Sequence, residues 1–181
     1  MSENVTQVMM DEHQLILRMI TLVEQNSARV RNNDFSDWAF FIDAVDFIRN
    51  YADRYHHAKE EDVLFVELVK NGMPEKSSPI EAMLMEHDQG RALVKGMESA
   101  ALTLQAGEPG GEKELVENAE AYAALLRGHI QKEDTILYPL SERVLPGGVR
   151  GRMLRAYEEA DRRMADAEPR YRTMVERYEA V

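Results

Sequence analysis

The 181-residue sequence contains no cysteine. Disulfides, zinc–thiolate sites and iron–sulfur clusters held by this chain's own thiols are therefore excluded. Long apolar runs are also missing, and nothing approaches the roughly 20 apolar residues that span a bilayer. Met1-Ser2-Glu3-Asn4 has no basic start leading into an apolar segment, so a secretory signal is not expected. Positive charge is in deficit. The formal net charge is -11, and such a surface repels nucleic acid and anionic membranes alike. These absences lead us to expect a soluble cytoplasmic protein that binds neither nucleic acid nor membrane.

What remains is an ordinary globular composition, 44% hydrophobic and 30% charged, enough for one domain with a real core. Glycine and proline are few and grouped at Asn71-Gly72-Met73-Pro74, Ser77-Ser78-Pro79, Gly107-Glu108-Pro109-Gly110-Gly111 and Pro146-Gly147-Gly148. Between them, apolar residues recur at spacings of three and four, the helical period. The spacing predicts helices over about 4–31, 36–71, 79–106, 112–144 and 149–180. The expected fold is all-α: an up-down-up-down four-helix bundle over 1–145, with an additional C-terminal helical extension over 146–181. That extension would pack on the bundle or on a partner chain, giving a homo-oligomer, and Pro169 would bend or interrupt it.

A weak internal repeat carries the chemistry. His57-x-x-x-Glu61-Asp62 recurs as His129-x-x-x-Glu133-Asp134 at a shift of 72, and Glu12-His13 recurs as Glu86-His87 at a shift of 74. Residues four apart share a helix face. His57 with Glu61, and His129 with Glu133, can therefore point inward together, followed by Leu64, Phe65 and Leu68 on one helix and Ile136, Leu137 and Leu140 on the other. Counted from the helix ends, His13, His57, Glu61, His87, His129 and Glu133 fall at similar levels along the bundle. Buried without partners they would each cost several kcal/mol; metal ions remove that penalty. Imidazole and carboxylate without sulfur suit iron, zinc, copper or manganese. Two ions are expected, one with His13 and His57, the other with His87 and His129, bridged by Glu61 and Glu133. His56 is assigned to the surface or to a supporting role, because its stripe continues poorly through Val63 and Glu67. Arg91 is read as an ion-pair partner, with a hydrogen-bonded shell around the site as the alternative, and Gly90 and Gly128 as tight packing positions, with room for a small molecule to approach the ions as the alternative.

Four segments together resemble the hemerythrin-like, or HHE cation-binding, family over most of residues 8–145. They are Asp11-Glu12-His13, His56-His57-Ala58-Lys59-Glu60-Glu61-Asp62-Val63-Leu64-Phe65, Glu86-His87-Asp88-Gln89-Gly90-Arg91 and His129 through Leu140. The resemblance implies a non-haem di-iron centre with a water, hydroxo or oxo bridge, held by the six residues above, with zinc or manganese as alternatives. It implies binding of, or reaction with, oxygen, peroxide or nitric oxide. Oxygen-carrying hemerythrins have a second histidine where this chain has Arg91, and an Asp five residues after the helix 4 histidine where this chain has Glu133 at four. The single-histidine pattern is closer to bacterial proteins linked to iron–sulfur repair and nitric oxide stress, and to iron-sensing relatives. Two histidines per ion would leave open positions on both, so oxidation is expected rather than return of intact oxygen. An iron- or oxygen-responsive sensor, and an iron-sequestering protein without turnover, are the other two readings.

Overall fold

The computed structural model describes residues 4–180; residues 1–3 and 181, the outer ends of the expected regions 1–145 and 146–181, lie outside the described residues. Among the described residues there are helices and no strands. The first arm is α1 (Val5–Arg31). The second runs through α2 (Trp38–Phe47), the π-helical turns π1 (Ile48–His57) and π2 (Glu60–Leu64), and α3 (Phe65–Lys70). The third is α4 (Pro79–Gln105). The fourth joins α5 (Glu112–Lys132), π3 (Glu133–Leu137) and α6 (Tyr138–Val144). Each arm falls within two residues of its expected span.

Local chemistry sets the ends. The Asn4 side chain accepts the Thr6 and Gln7 amides at 3.0 Å each, satisfying two donors that a helix start leaves free. Ser78 does the same for Glu81, and Pro79 follows at the first helical position, where its missing N–H costs nothing. Gly72 and Gly107, with φ of 100° and 80°, supply the left-handed residues after the second and third arms.

The four arms close a ring: the first packs on the fourth, the fourth on the third, the third on the second and the second on the first. Two apolar cores fill it. One gathers Ile16, Phe41, Tyr51, Met97 and Leu126; the other gathers Met9, Leu64, Met83, Leu137 and Tyr157. The residues between these stretches in every arm are polar and buried: Glu12 and His13, then His56, His57, Lys59 and Glu60, then His87, and His129 with Glu133. One polar layer thus lies between two dry cores.

Residues 147–179 form two helices, α7 (Gly147–Arg163) and α8 (Ala167–Glu179), where one was expected. The break falls at Met164–Asp166 and not at Pro169. Pro169 sits in the first turn of α8, where a proline displaces no intrahelical hydrogen bond. Both helices pack on this chain: α7 on α1 and π2, α8 on α1 and π1. Tyr178 and Tyr171 meet Phe40 and Phe47 edge to face, and their hydroxyls donate to Asp43 and Asp46. No described helix is long and apolar enough to cross a membrane.

Candidate metal centre

All five histidines of the chain enter the polar layer, and none is more than 7% exposed. They arrive in two groups. His57, Glu60, His87 and His129 offer one candidate ligand atom each, all within 4.8 Å of one another; His13, His56 and Glu133 do likewise. Of the six expected residues the structure brings five together. It does not bring Glu61, whose place is taken by Glu60, and it adds His56.

The cause is the helical period. In π1 and π2 the backbone bonds run from i to i+5, as in Ala58 N–H to Asp53 C=O and Phe65 N–H to Glu60 C=O. This inserts an extra residue per turn. The inward stripe therefore repeats every four residues as Ala52, His56, Glu60, Leu64 and Leu68, all buried. The expected α-helical stripe from His56 through Val63 and Glu67 does not exist. On the fourth arm π3 has the same effect: Glu133, Leu137 and Ser141 line up inward, whereas Ile136, expected inside, is 55% exposed.

With the wide turns included, the internal repeat has a shift of 73 on these arms, not 72. His56, Lys59, Glu60, Glu61, Leu64 and Phe65 match His129, Lys132, Glu133, Asp134, Leu137 and Tyr138. The contacts obey this symmetry. Nδ1 of His13 meets Asp134 at 2.8 Å, and Nδ1 of His87 meets Glu61 at 2.7 Å. Nδ1 of His56 meets Glu12 at 2.8 Å, and Nδ1 of His129 meets Glu86 at 2.9 Å. Lys59 pairs with Glu12, and Lys132 with Glu86. Glu61 is thus a hydrogen-bond acceptor behind His87, the same part that Asp134 plays behind His13. Two positions break the symmetry. His57, with Nδ1 3.5 Å from Asp53, stands where the other hairpin has Ile130. Tyr138, whose hydroxyl donates to Glu60 Oε1 at 2.7 Å, stands where the other has Phe65.

Each ring in these pairs gives its Nδ1 proton to a carboxylate and turns Nε2 inward. The result is two nitrogen pairs, His13 with His56 and His87 with His129, each 3.0 Å apart. With each Nδ1 proton committed to a carboxylate, the Nε2 atoms of a neutral pair present lone pairs to each other. Between the pairs lie Glu60 Oε2 and both oxygens of Glu133, buried with no hydrogen-bond donor. Glu133 reaches both groups, with Oε1 3.0 Å from His129 Nε2 and Oε2 3.3 Å from His13 Nε2. Glu60 Oε2 lies 3.4 Å from His87 Nε2 and 4.0 Å from His56 Nε2. Acceptors facing acceptors in a buried layer is the donor set of a cation site, backed by a carboxylate behind each imidazole.

The electrostatics point the same way. Burial holds His56 well below the ordinary histidine range and takes His57 down to about 4. For His13 burial also opposes charge, but the neighbouring Asp134 and Glu133 carboxylates overcome it and raise the group to about 9; the Glu60 and Glu61 carboxylates do the same for His87. Glu133 is held well below the carboxylate range by His129 and His13 despite its burial. Without a bound cation, protons held at His13 and His87 supply positive charge in its place.

On the three-histidine side a cavity of about 90 Å³ reaches the layer, lined by His57, His87, His129, Gly90, Arg91 and Tyr122. At roughly 30 Å³ per water in the liquid, it has room for a molecule of a few atoms. A Cβ at Gly90 would make ordinary contact with the Tyr122 ring, at 3.4 Å, and take up part of this space; a Cβ at Gly128 would meet nothing within 4 Å, so tight packing does not explain that glycine. Arg91 is an ion-pair partner, bonded to Asp53 behind His57 and to Glu61 behind His87.

The model of the hemerythrin HHE cation-binding domain matches residues 4–141. The chain belongs to this family. The HHE match covers all four arms up to α6 and every residue of the polar layer, and it ends before α7. Uncharacterised proteins of Mycobacterium tuberculosis and Mycobacterium bovis are each 24% identical to this HHE protein over 156 residues. The alignment takes in 86% of this chain, which spans 60% of the length of those relatives. No solved structure matches it.

Proposed function

We propose that this HHE protein is a non-haem di-iron protein built as an up-down-up-down four-helix bundle with a helical C-terminal extension. In this reading His57, His87 and His129 hold one ion, His13 and His56 hold the other, and Glu60 and Glu133 lie between them. The observation that carries it is the pair of Nε2–Nε2 approaches at 3.0 Å, with the Nδ1 atoms of all four rings committed to carboxylates. Imidazole and carboxylate donors without thiolate suit iron among the redox-active metals, with zinc and manganese as competitors.

Bound iron would supply electrons to a small oxidant or a binding position for a diatomic molecule, and the ligand class we assign is oxygen, peroxide or nitric oxide. The protein's own part is to hold five imidazoles in one tautomer, to exclude bulk water with two apolar cores, and to admit small molecules past Gly90. The division of histidines is three and two, so the half with His13 and His56 is the one with vacant protein positions. The expectation of equal vacancy on both ions rested on two histidines each and is replaced. Metal analysis of the purified protein, with optical spectra of the iron-loaded protein before and after exposure to oxygen, tests the proposal. Iron content near two per chain with a new near-ultraviolet or visible band after exposure supports it. A spectrum that stays silent with iron bound removes the redox reading and leaves storage.

A further inference from the structure

The C-terminal helices lie outside the segment that the family model covers, yet one of their side chains reaches the network behind His56. Asp161 on α7 places Oδ1 2.6 Å from Lys59 Nζ. Lys59 also pairs with Glu12 Oε1, and Glu12 Oε2 accepts the His56 Nδ1 proton at 2.8 Å. The Lys59 side chain is 1% exposed and lies over the Tyr55 ring, 3.7 Å from its centroid. A chain of contacts thus runs from Asp161 through Lys59 and Glu12 to His56.

The other hairpin provides an internal control. Lys132, Glu86 and His129 repeat the same contacts, but the Lys132 side chain is 41% exposed and, among the described residues, pairs with Glu86 alone. Water shares the charge of Lys132. Lys59 has no water to do so, and Asp161 takes that part. An ammonium with three donors, buried against one carboxylate, would draw that carboxylate fully to itself. Glu12 must serve Lys59 and the His56 N–H together, so a second anion on Lys59 decides how much of Glu12 remains for His56.

We propose that Asp161 is a positioning residue for the two-histidine half of the metal centre. By sharing the Lys59 charge it keeps Glu12 a strong acceptor, which fixes the His56 tautomer and ring and makes the C-terminal extension part of the centre. The inference rests on the binuclear reading above.

The test uses the full-length, iron-loaded protein and its Asp161→Asn and Asp161→Glu variants, with a competing chelator and release followed optically. Supporting partners of a metal ligand change affinity by roughly 10- to 100-fold. Asp161→Asn is expected to release one of the two ions faster by a factor in that range, with the other leaving at the wild-type rate, and Asp161→Glu to restore retention. In metal-free protein the His56 Nδ1–H resonance is expected to move in Asp161→Asn while that of His129 stays. Unchanged release of both ions overturns the proposal. So does equal acceleration of both with a lowered melting temperature of the metal-free variant, since α7 would then be only a cover. Fewer than two ions in the wild type would sink the binuclear reading separately, and an unmoved His56 resonance would still overturn the relay.

Discussion

His13 and His56 are 43 residues apart in the chain and 3.0 Å apart at their Nε2 atoms, while their Nδ1 atoms bind Asp134 and Glu12. Neither ring can turn away without breaking a hydrogen bond to a carboxylate. The approach is therefore held from behind by carboxylates on the first and fourth arms, and the predictions below follow from that division between inner and outer groups.

Glu60 and Glu61 are adjacent and chemically alike but face different surroundings, so they separate the inner role from the outer one. Iron-loaded wild type is expected to hold two ions per chain by elemental analysis. Glu60→Ala is expected to hold fewer than two. Glu61→Ala is expected to keep two, bound about 10- to 100-fold more weakly. The reverse ranking would return the inner position to Glu61.

His56→Ala removes one of only two histidines from its half. Occupancy is expected to fall from two ions to one, and the remaining ion to keep the affinity of the wild-type tight site. A variant that still binds two ions would place His56 outside the ligand set.

Tyr138→Phe reproduces what the other hairpin already has at Phe65. The substitution leaves Glu60 Oε1 without its donor in a dry site, at about 1–3 kcal/mol. For a chain of this size that corresponds to a loss of roughly 2–12 °C in the thermal midpoint of the metal-free protein. Metal stoichiometry is expected to stay at two. An unchanged midpoint would mean that the hydrogen bond contributes nothing net.

Metal and fold are expected to be coupled, because the polar layer sits between two apolar cores and its inward Glu60 and Glu133 oxygens have no hydrogen-bond donor there. Titrating metal into metal-free protein is expected to raise the thermal midpoint, with about 2.7 kcal/mol gained at a free concentration 100 times the dissociation constant. Metal-free and loaded protein melting together would show that the seven groups do not act as one site.

Most of the architecture was legible from the sequence because breakers are sparse and the apolar period is that of helices. Asn4, Ser78, Gly72 and Gly107 mark ends that the structure keeps. In the C-terminal segment the break was expected at Pro169 and lies at Met164–Asp166 instead, since a proline in a first turn breaks nothing. At the site, the histidines of the first, third and fourth arms were readable from their repeat. The second arm was misread by one residue, because a 3.6-residue period was applied across turns that are wider. A sign of the correct register was present. Aligning Lys59-Glu60 with Lys132-Glu133, instead of His57 with His129, gives His-x-x-Lys-Glu followed by an acid in both hairpins. That alignment would have placed His56 and Glu60 inside and Glu61 behind His87.

The wide turns also make the centre dependent on how the backbone is wound. In an α-helix each residue advances the face by about 100°, more than in a π-helical turn. If residues 48–57 were wound as a regular α-helix at unchanged length, the segment would keep good hydrogen bonds and full helicity. The polar layer would not survive the change, because the tighter winding turns His56 and Glu60 out of step with Phe47 and Phe41 on the same arm. Such a rewound chain could fold by every spectroscopic measure of helix content and still be blind to metal. For this protein the winding between the core that holds Phe41 and the polar layer is as much a ligand requirement as the histidines themselves.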